Sequence, residues 1–218
     1  MTKQEVIKYI DKHKIIAIIR GLTDDELIPT VEAMYNGGIK LVEVTFDQSG
    51  KFSEEYVANQ IDIITQRYGD KLLVGAGTVM TKSQVDAAMN AGARYIISPN
   101  TDEEIIKYSV KNDLVSIPGA LTPTEATNAH NWGADYVKLF PAGDLGLSYI
   151  KAVKAPLNHI KFLAVGGINE KNLSDFLCAG INGVGIGSNI VKKDFIKSGQ
   201  FHEITLLSKN YTEQIGGK

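Results

Sequence analysis

The stretch Leu72-Leu-Val-Gly-Ala-Gly-Thr-Val-Met-Thr-Lys-Ser-Gln-Val-Asp-Ala-Ala-Met-Asn-Ala-Gly92 contains one complete structural unit. Its apolar opening, Leu72–Ala76, is too short for a lone buried helix, and a glycine-containing break ends it, as a strand end requires. Thr81 with Gln84 three residues later is a capping-box pattern; an amphipathic segment follows, and Gly92 stops it. The unit reads strand, loop, capped helix, glycine. The same order recurs on both sides: Thr23-Asp-Asp-Glu26 ahead of Leu27, Val31 and Met34 and closed by Gly37-Gly38, then Thr101-Asp-Glu-Glu104, Thr122-Pro-Thr-Glu125 to Gly133, and Asn169-Glu170 to Gly180.

Eight apolar runs read as strands: Ile15–Ile19, Leu41–Phe46, Leu72–Ala76, Tyr95–Ile97, Leu114–Ile117, Tyr136–Phe140, Phe162–Val165 and Val184–Ile186. Their starts lie about 20 to 30 residues apart, the length of a βα unit with short connections. No Ser/Pro-rich linker or charge block interrupts the series, so residues 1–218 read as a single domain. The simplest closed arrangement is a (β/α)8 TIM barrel preceded by an N-terminal helix. An open doubly wound sheet satisfies the same pattern, because periodicity does not separate closure from openness.

Composition narrows the function. The chain has 44% hydrophobic and 22% charged residues, which excludes intrinsic disorder, and its net charge of -2 offers no basic field for nucleic acid. Met1–Ile10 intersperses charge with apolar residues and has no signal-peptide core, and no window approaches the roughly 20 apolar residues of a membrane span. The expectation is a cytoplasmic protein with no nucleic-acid or membrane partner. The single cysteine, Cys178, cannot form an intrachain disulfide and reads as a small buried thiol. His13, His130, His159 and His202 do not cluster with carboxylates at ligand spacing, so no metal site is expected. Gly75-Ala-Gly-Thr-Val-Met80 fails as a dinucleotide fingerprint, since Met80 stands where the third glycine belongs.

Charges inside strand runs locate the chemistry, which in a barrel collects at the carboxyl ends of the strands. In Lys40-Leu-Val-Glu-Val-Thr-Phe46, Val42, Val44 and Phe46 share one face, which leaves Leu41, Glu43 and Thr45 pointing inward. In Asp135-Tyr-Val-Lys-Leu-Phe-Pro141, Tyr136, Lys138 and Phe140 point inward by the same parity. Lys40, Lys71 and Lys161 each precede their run and belong to the opposite rim; Lys138 comes late in its strand. A buried Glu43–Lys138 ion pair is one reading, at a desolvation cost of several kcal/mol per ion. The functional reading is an amine nucleophile, because burial disfavours ammonium. Deprotonating an unperturbed lysine at pH 7 costs about 4.6 kcal/mol, and the surroundings must remove much of it. Direct contact with ionised Glu43 opposes that, which places Glu43 a water's distance away.

Only three arginines exist, and Arg20 alone closes a strand, on the parity of Ile16 and Ile18. It can reach the barrel mouth, where its planar fork suits a carboxylate or phosphate; a rim salt bridge is the plainer alternative. Ala164-Val-Gly-Gly-Ile-Asn169 and Gly185-Ile-Gly-Ser-Asn189 end the last two strands in matching glycine loops, whose amides suit a phosphate.

Taken together, Ile18-Ile-Arg-Gly21, Val42-Glu-Val-Thr45, Gly75-Ala-Gly-Thr-Val79, Ile97-Ser-Pro-Asn100, Ile117-Pro-Gly119, Val137-Lys-Leu-Phe-Pro-Ala142, Val165-Gly-Gly-Ile168 and Gly185-Ile-Gly-Ser188 resemble the family of 2-keto-3-deoxy-6-phosphogluconate, 2-keto-3-deoxy-6-phosphogalactonate and 4-hydroxy-2-oxoglutarate aldolases. The resemblance implies a class I carbon–carbon lyase without metal or cofactor, acting as a homotrimer on a small phosphorylated keto acid. It implies Lys138 as the Schiff-base lysine and Glu43 as the acid/base. Thr45, Thr78, Pro99 and Phe140 would bind substrate together with Arg20, and Gly166, Gly167, Gly187 and Ser188 would hold phosphate. Asp47 stands where gluconate-type members often carry arginine, which leaves Arg20 as the cation for the substrate carboxylate; Val165 stands where they tend to have threonine, and with the Ile-Arg-Gly ending of the first strand it looks more like the galactonate branch. A phosphosugar isomerase barrel, with Lys138 only an electrostatic clamp, and a non-catalytic sugar-phosphate binding protein are the alternatives.

Overall fold

The computed structural model describes residues 1–216. In chain order the elements are α1 (Lys3–His13), β1 (Ile15–Ile19), α2 (Asp24–Asn36), β2 (Leu41–Thr45), α3 (Glu54–Tyr68), β3 (Leu73–Gly77), α4 (Lys82–Asn90), β4 (Tyr95–Ile97), α5 (Glu103–Lys111), β5 (Val115–Ile117), β6 (Gly119–Ala120), α6 (Pro123–Asn131), β7 (Val137–Leu139), α7 (Ala142–Lys154), β8 (Phe162–Val165), α8 (Leu173–Cys178), β9 (Gly183–Ile186), α9 (Lys193–Lys197) and α10 (Phe201–Gly216). Every ladder is parallel, and the strand order is β5-β4-β3-β2-β1-β9-β8-β7-β6.

The two ends of that ladder are consecutive in sequence, separated only by Pro118. The sheet thus curls into a nearly closed barrel, and the open doubly wound alternative falls. Nine strand segments replace the eight expected because Gly119–Ala120 continues the wall beyond the fifth run, separated from it by Pro118, which has no N–H to donate to a ladder. Its carbonyl still accepts from the Lys138 amide at 2.8 Å, which stitches the break to β7.

Strand parity sorts the apolar residues into two layers. Val42, Val44, Val74, Ala76, Val137 and Leu139 face the surrounding helices. Ile16, Leu41, Leu73, Tyr95, Val115, Tyr136 and Leu163 fill the barrel interior, each worth roughly 1.5 to 3 kcal/mol for the large aliphatic side chains. Helix α1 closes the lower end: Val6 and Ile10 join the interior cluster. The Tyr136 hydroxyl donates to the Ile7 carbonyl at 3.1 Å and to Asp11 at 2.7 Å, and Lys161 pairs with Asp11 at 2.7 Å. With the bottom plugged, the carboxyl ends of the strands form the accessible face.

Three local expectations need correction. The helix expected from Asn169 begins at Leu173, because Asn169 and Asn172 side chains accept the Lys171 and Asn169 amides and hold a loop there instead. Helix α5 is capped by Asp102, which accepts from the Ile105 amide, while Thr101 donates to the Gly119 carbonyl at 2.6 Å. Cys178 is exposed, since its position in α8 turns it away from the buried stripe of Leu173 and Phe176. No helix among the described residues is long and apolar enough to cross a membrane.

Candidate active site

Register places Glu43 of β2 beside Ile18 of β1 and Gly75 of β3, whereas Lys138 of β7 pairs with Gly119 of β6 and Leu163 of β8. The two residues therefore reach one cavity from separate parts of the barrel wall. Both are buried, at 3% and 8% exposure. That cavity, of about 240 Å³, is lined by Glu43, Lys138, Arg20, Thr78, Pro99, Phe140, Gly166, Gly167, Gly187 and Ser188. Ten of the eleven residues expected at the site meet there. The eleventh, Thr45, lines an adjoining cavity of about 380 Å³ together with Arg20 and Thr78, because it sits one inward position further along β2.

Small residues on β3 make room for the carboxylate. A Cβ on Gly77 would stand 2.5 Å from Glu43 Oε1, and one on Gly75 would stand 2.1 Å from the Tyr95 ring. The Tyr95 hydroxyl donates to the Val42 carbonyl at 2.5 Å, which fixes the backbone next to Glu43. The motif that failed as a dinucleotide fingerprint thus serves as interior space.

Glu43 and Lys138 form no ion pair or hydrogen bond with each other among the described residues. The amine lies 5.0 Å from the Phe140 ring centre. Desolvation pushes the Glu43 carboxyl above its ordinary range, against the opposing pull of Lys138 and Arg20. Desolvation likewise pushes Lys138 down; Glu43 opposes this, and the Arg20 charge adds to it. Burial thus shifts each group toward its neutral form. A desolvated amine can add to a carbonyl, and a carboxyl shifted toward neutrality can give or take a proton.

The mouth is built from backbone. Gly166 and Gly167 adopt left-handed φ of 86° and 72°. This conformation lets the loop lie against α7, where a Cβ on Gly143 would stand 2.7 Å from Gly167 Cα. From behind, Gly143 donates to the Gly166 carbonyl, Asn172 to the Gly167 carbonyl, and Ile190 and Val191 to the Gly187 carbonyl. The loop hydrogen bonds among the described residues use these carbonyls and leave out the amides of Gly166, Gly167, Gly187 and Ser188. Such amides suit an anion.

Thr78 is a non-glycine residue at φ 56°, and its carbonyl accepts from Gln48. Asp47 turns into its own loop, where its carboxylate accepts from Ser49, Lys51 and Phe52; these bonds hold its pKa at about 2. Sequence reading missed Gln48, Asn189 and Lys193. Asn189 follows Ser188 directly and donates to the Ile168 carbonyl at 2.7 Å, tying the two glycine loops together. Among the described residues no group of three or more His, Cys, Asp or Glu could hold a metal ion.

The family model described as KDPG and KHG aldolase matches residues 6–207. The chain is 39% identical over 182 residues, covering 83% of it and 86% of the relative, to the 2-dehydro-3-deoxy-6-phosphogalactonate aldolase of Escherichia coli K12. A solved structure described as native KDPGal superposes with a TM-score of 0.81 at 36% identity, over 93% of this chain and 96% of that one. The KDPG aldolase of Legionella pneumophila, with pyruvate captured as a covalent carbinolamine, superposes with a TM-score of 0.83 at 30% identity, over 96% and 97% of the two chains.

Proposed function

The chain belongs to the KDPG and KHG aldolase family, a family of carbon–carbon lyases, and from that premise we propose that it cleaves a 2-keto-3-deoxy-6-phospho sugar acid to pyruvate and glyceraldehyde 3-phosphate through a Schiff base on Lys138. The observation that carries the proposal is a desolvated lysine sharing a closed-bottomed cavity with a desolvated carboxyl it does not touch.

Lys138 Nζ adds to the C2 ketone to give a carbinolamine, and loss of water leaves an iminium. Glu43 takes the proton of the C4 hydroxyl as the C3–C4 electron pair moves into the iminium, which forms the enamine and frees the aldehyde. The same proton then goes to C3, and water releases pyruvate and the free amine. The carbinolamine held by the Legionella relative supports an amine nucleophile here. Arg20 holds the substrate carboxylate, Thr45, Thr78, Pro99 and Phe140 shape the pocket, and the amides of Gly166, Gly167, Gly187 and Ser188 receive the phosphate.

The galactonate-type acid is the preferred substrate in this reading. Asp47 is committed to its own loop and offers the substrate no cation, and the 39% identical relative is a phosphogalactonate aldolase. Borohydride with pyruvate should add mass to Lys138 and leave Lys138→Arg unmodified; absence of that adduct defeats the mechanism. A coupled assay for pyruvate release across the galactonate and gluconate phospho-acids and 4-hydroxy-2-oxoglutarate decides the substrate.

A further inference from the structure

The proposed substrate is anionic at both ends, with a carboxylate beside the ketone carbon and a phosphate four carbons beyond it. The catalytic cavity offers two cationic side chains, Arg20 and Lys138. Lys138 must give up its proton to attack, and the charge it regains as the iminium is fixed at C2, so Arg20 is the one cationic side chain of the cavity left to hold an anionic end, and one guanidinium cannot serve both ends. The amides of the glycine loops supply partial charges only.

A third cavity, of about 560 Å³, shares Ile18, Arg20, Gly187 and Ser188 with the catalytic one, so it opens directly beside the glycine loop after β9. Lys192 and Lys193 line it as well. Lys192 Nζ is 5.8 Å from the Phe195 ring centre, on the side of α9 that carries Phe195. Lys193 is exposed, forms no ion pair among the described residues, and also lines the 380 Å³ cavity with Arg20. It is therefore the lysine common to both outer cavities.

We infer that Lys193 is a specificity-determining residue that holds the phosphate of the substrate, which leaves Arg20 for the carboxylate. The inference rests on the reading that the substrate is phosphorylated, and it assigns a role to a side chain outside every strand-end motif. A mobile lysine suits this position: the ammonium meets a phosphate as a point charge and need not be held before the ligand arrives.

The test measures binding without turnover, by titration calorimetry with sn-glycerol 3-phosphate. Lys193→Ala should weaken binding about tenfold, the effect of one charge-assisted hydrogen bond. Lys193→Arg should restore most of it, and Lys197→Ala, a lysine of the same helix that lines none of these cavities, should change nothing. Borohydride trapping of pyruvate, run in parallel, reads Lys138 alone. Equal affinity of the parent and Lys193→Ala overturns the inference, as does failure of the parent to bind the probe. Weakened binding with no trapping in the parent supports Lys193 while removing the aldolase reading.

Discussion

Gly77→Ala isolates the placement of Glu43 from the stability of the barrel. The added Cβ would lie 2.5 Å from Oε1 and 2.8 Å from Cδ of Glu43, so the carboxyl must retreat by about 0.9 Å to reach an ordinary contact of 3.4 Å. It can do so, because the two nearest atoms are the far end of a side chain; the third, Thr45 Cγ2 at 3.0 Å, must give by a few tenths of an ångström. The cost in stability should lie at the low end of overpacking, about 1 kcal/mol, or a melting temperature lower by about 2 to 4 °C for a chain of this size. Proton transfer has no such tolerance: a misplacement near 1 Å costs about 100-fold in rate. We expect kcat for pyruvate release, followed by a coupled dehydrogenase, to fall about 100-fold while the fold survives. Gly75→Ala provides the contrast. Its Cβ would meet the Tyr95 ring at 2.1 Å, and that ring is fully buried and bonded to the Val42 carbonyl, so the substitution should destabilise by about 3 kcal/mol or more. If Gly77→Ala keeps kcat within about threefold of the parent, the carboxyl has slack and the assignment of Glu43 as the proton carrier fails.

Three further outcomes test the electrostatics and the loop. Because burial raises the folded-state pKa of Glu43 above 4.5, the folded chain binds the extra proton between 4.5 and the raised value, and stability falls as pH rises through that window. Glu43→Gln should therefore melt above the parent at neutral pH, with the gap closing below pH 4.5; a gap independent of pH contradicts the desolvation argument. Lys138 loses its proton below its ordinary 10.5, partly because of the Arg20 charge, so the trapping rate with pyruvate and borohydride should rise with a midpoint below that value, and Arg20→Ala should move the midpoint upward. Asp47→Ala removes the acceptor for the Lys51 and Phe52 amides, so hydrogen exchange at those two amides should accelerate and KM should rise more than kcat falls.

Strand parity made much of the site legible. A glutamate and a lysine placed on the inward phase of apolar strands have one destination in a barrel, and both arrive there. The glycine pair after β8 was readable for a similar reason, since Gly166 and Gly167 take a left-handed conformation that other residues avoid. Features set by contacts between distant segments were not readable. Gly119–Ala120 adds a strand segment beyond the proline at which the fifth apolar run stops, Asn169 and Asn172 take up amides that a helix would otherwise use, and His130 and His159 bring their ring centres within 5.0 Å from separate stretches. Lys193, at the head of a five-residue helix, reads as a solvated charge until its two cavities are known.

The same desolvation both weakens the barrel and equips it. Below the site the interior is closed by Leu41, Leu73, Tyr95, Val115, Tyr136 and Leu163, so water reaches Glu43 and Lys138 only from the mouth. Direct contact between the two would lower the cost of burying them, yet it would hold the amine protonated, the wrong state for attack, and would weaken the carboxylate's hold on the proton it has to carry. Their separation therefore forgoes stability and leaves burial free to push the amine down and the carboxyl up from their ordinary ranges. If that trade is the reason for the arrangement, a further carboxylate at position 45, which shares a cavity with Arg20 and would offset the charge that helps to lower Lys138, should raise the pH needed for trapping even where it raises the melting temperature.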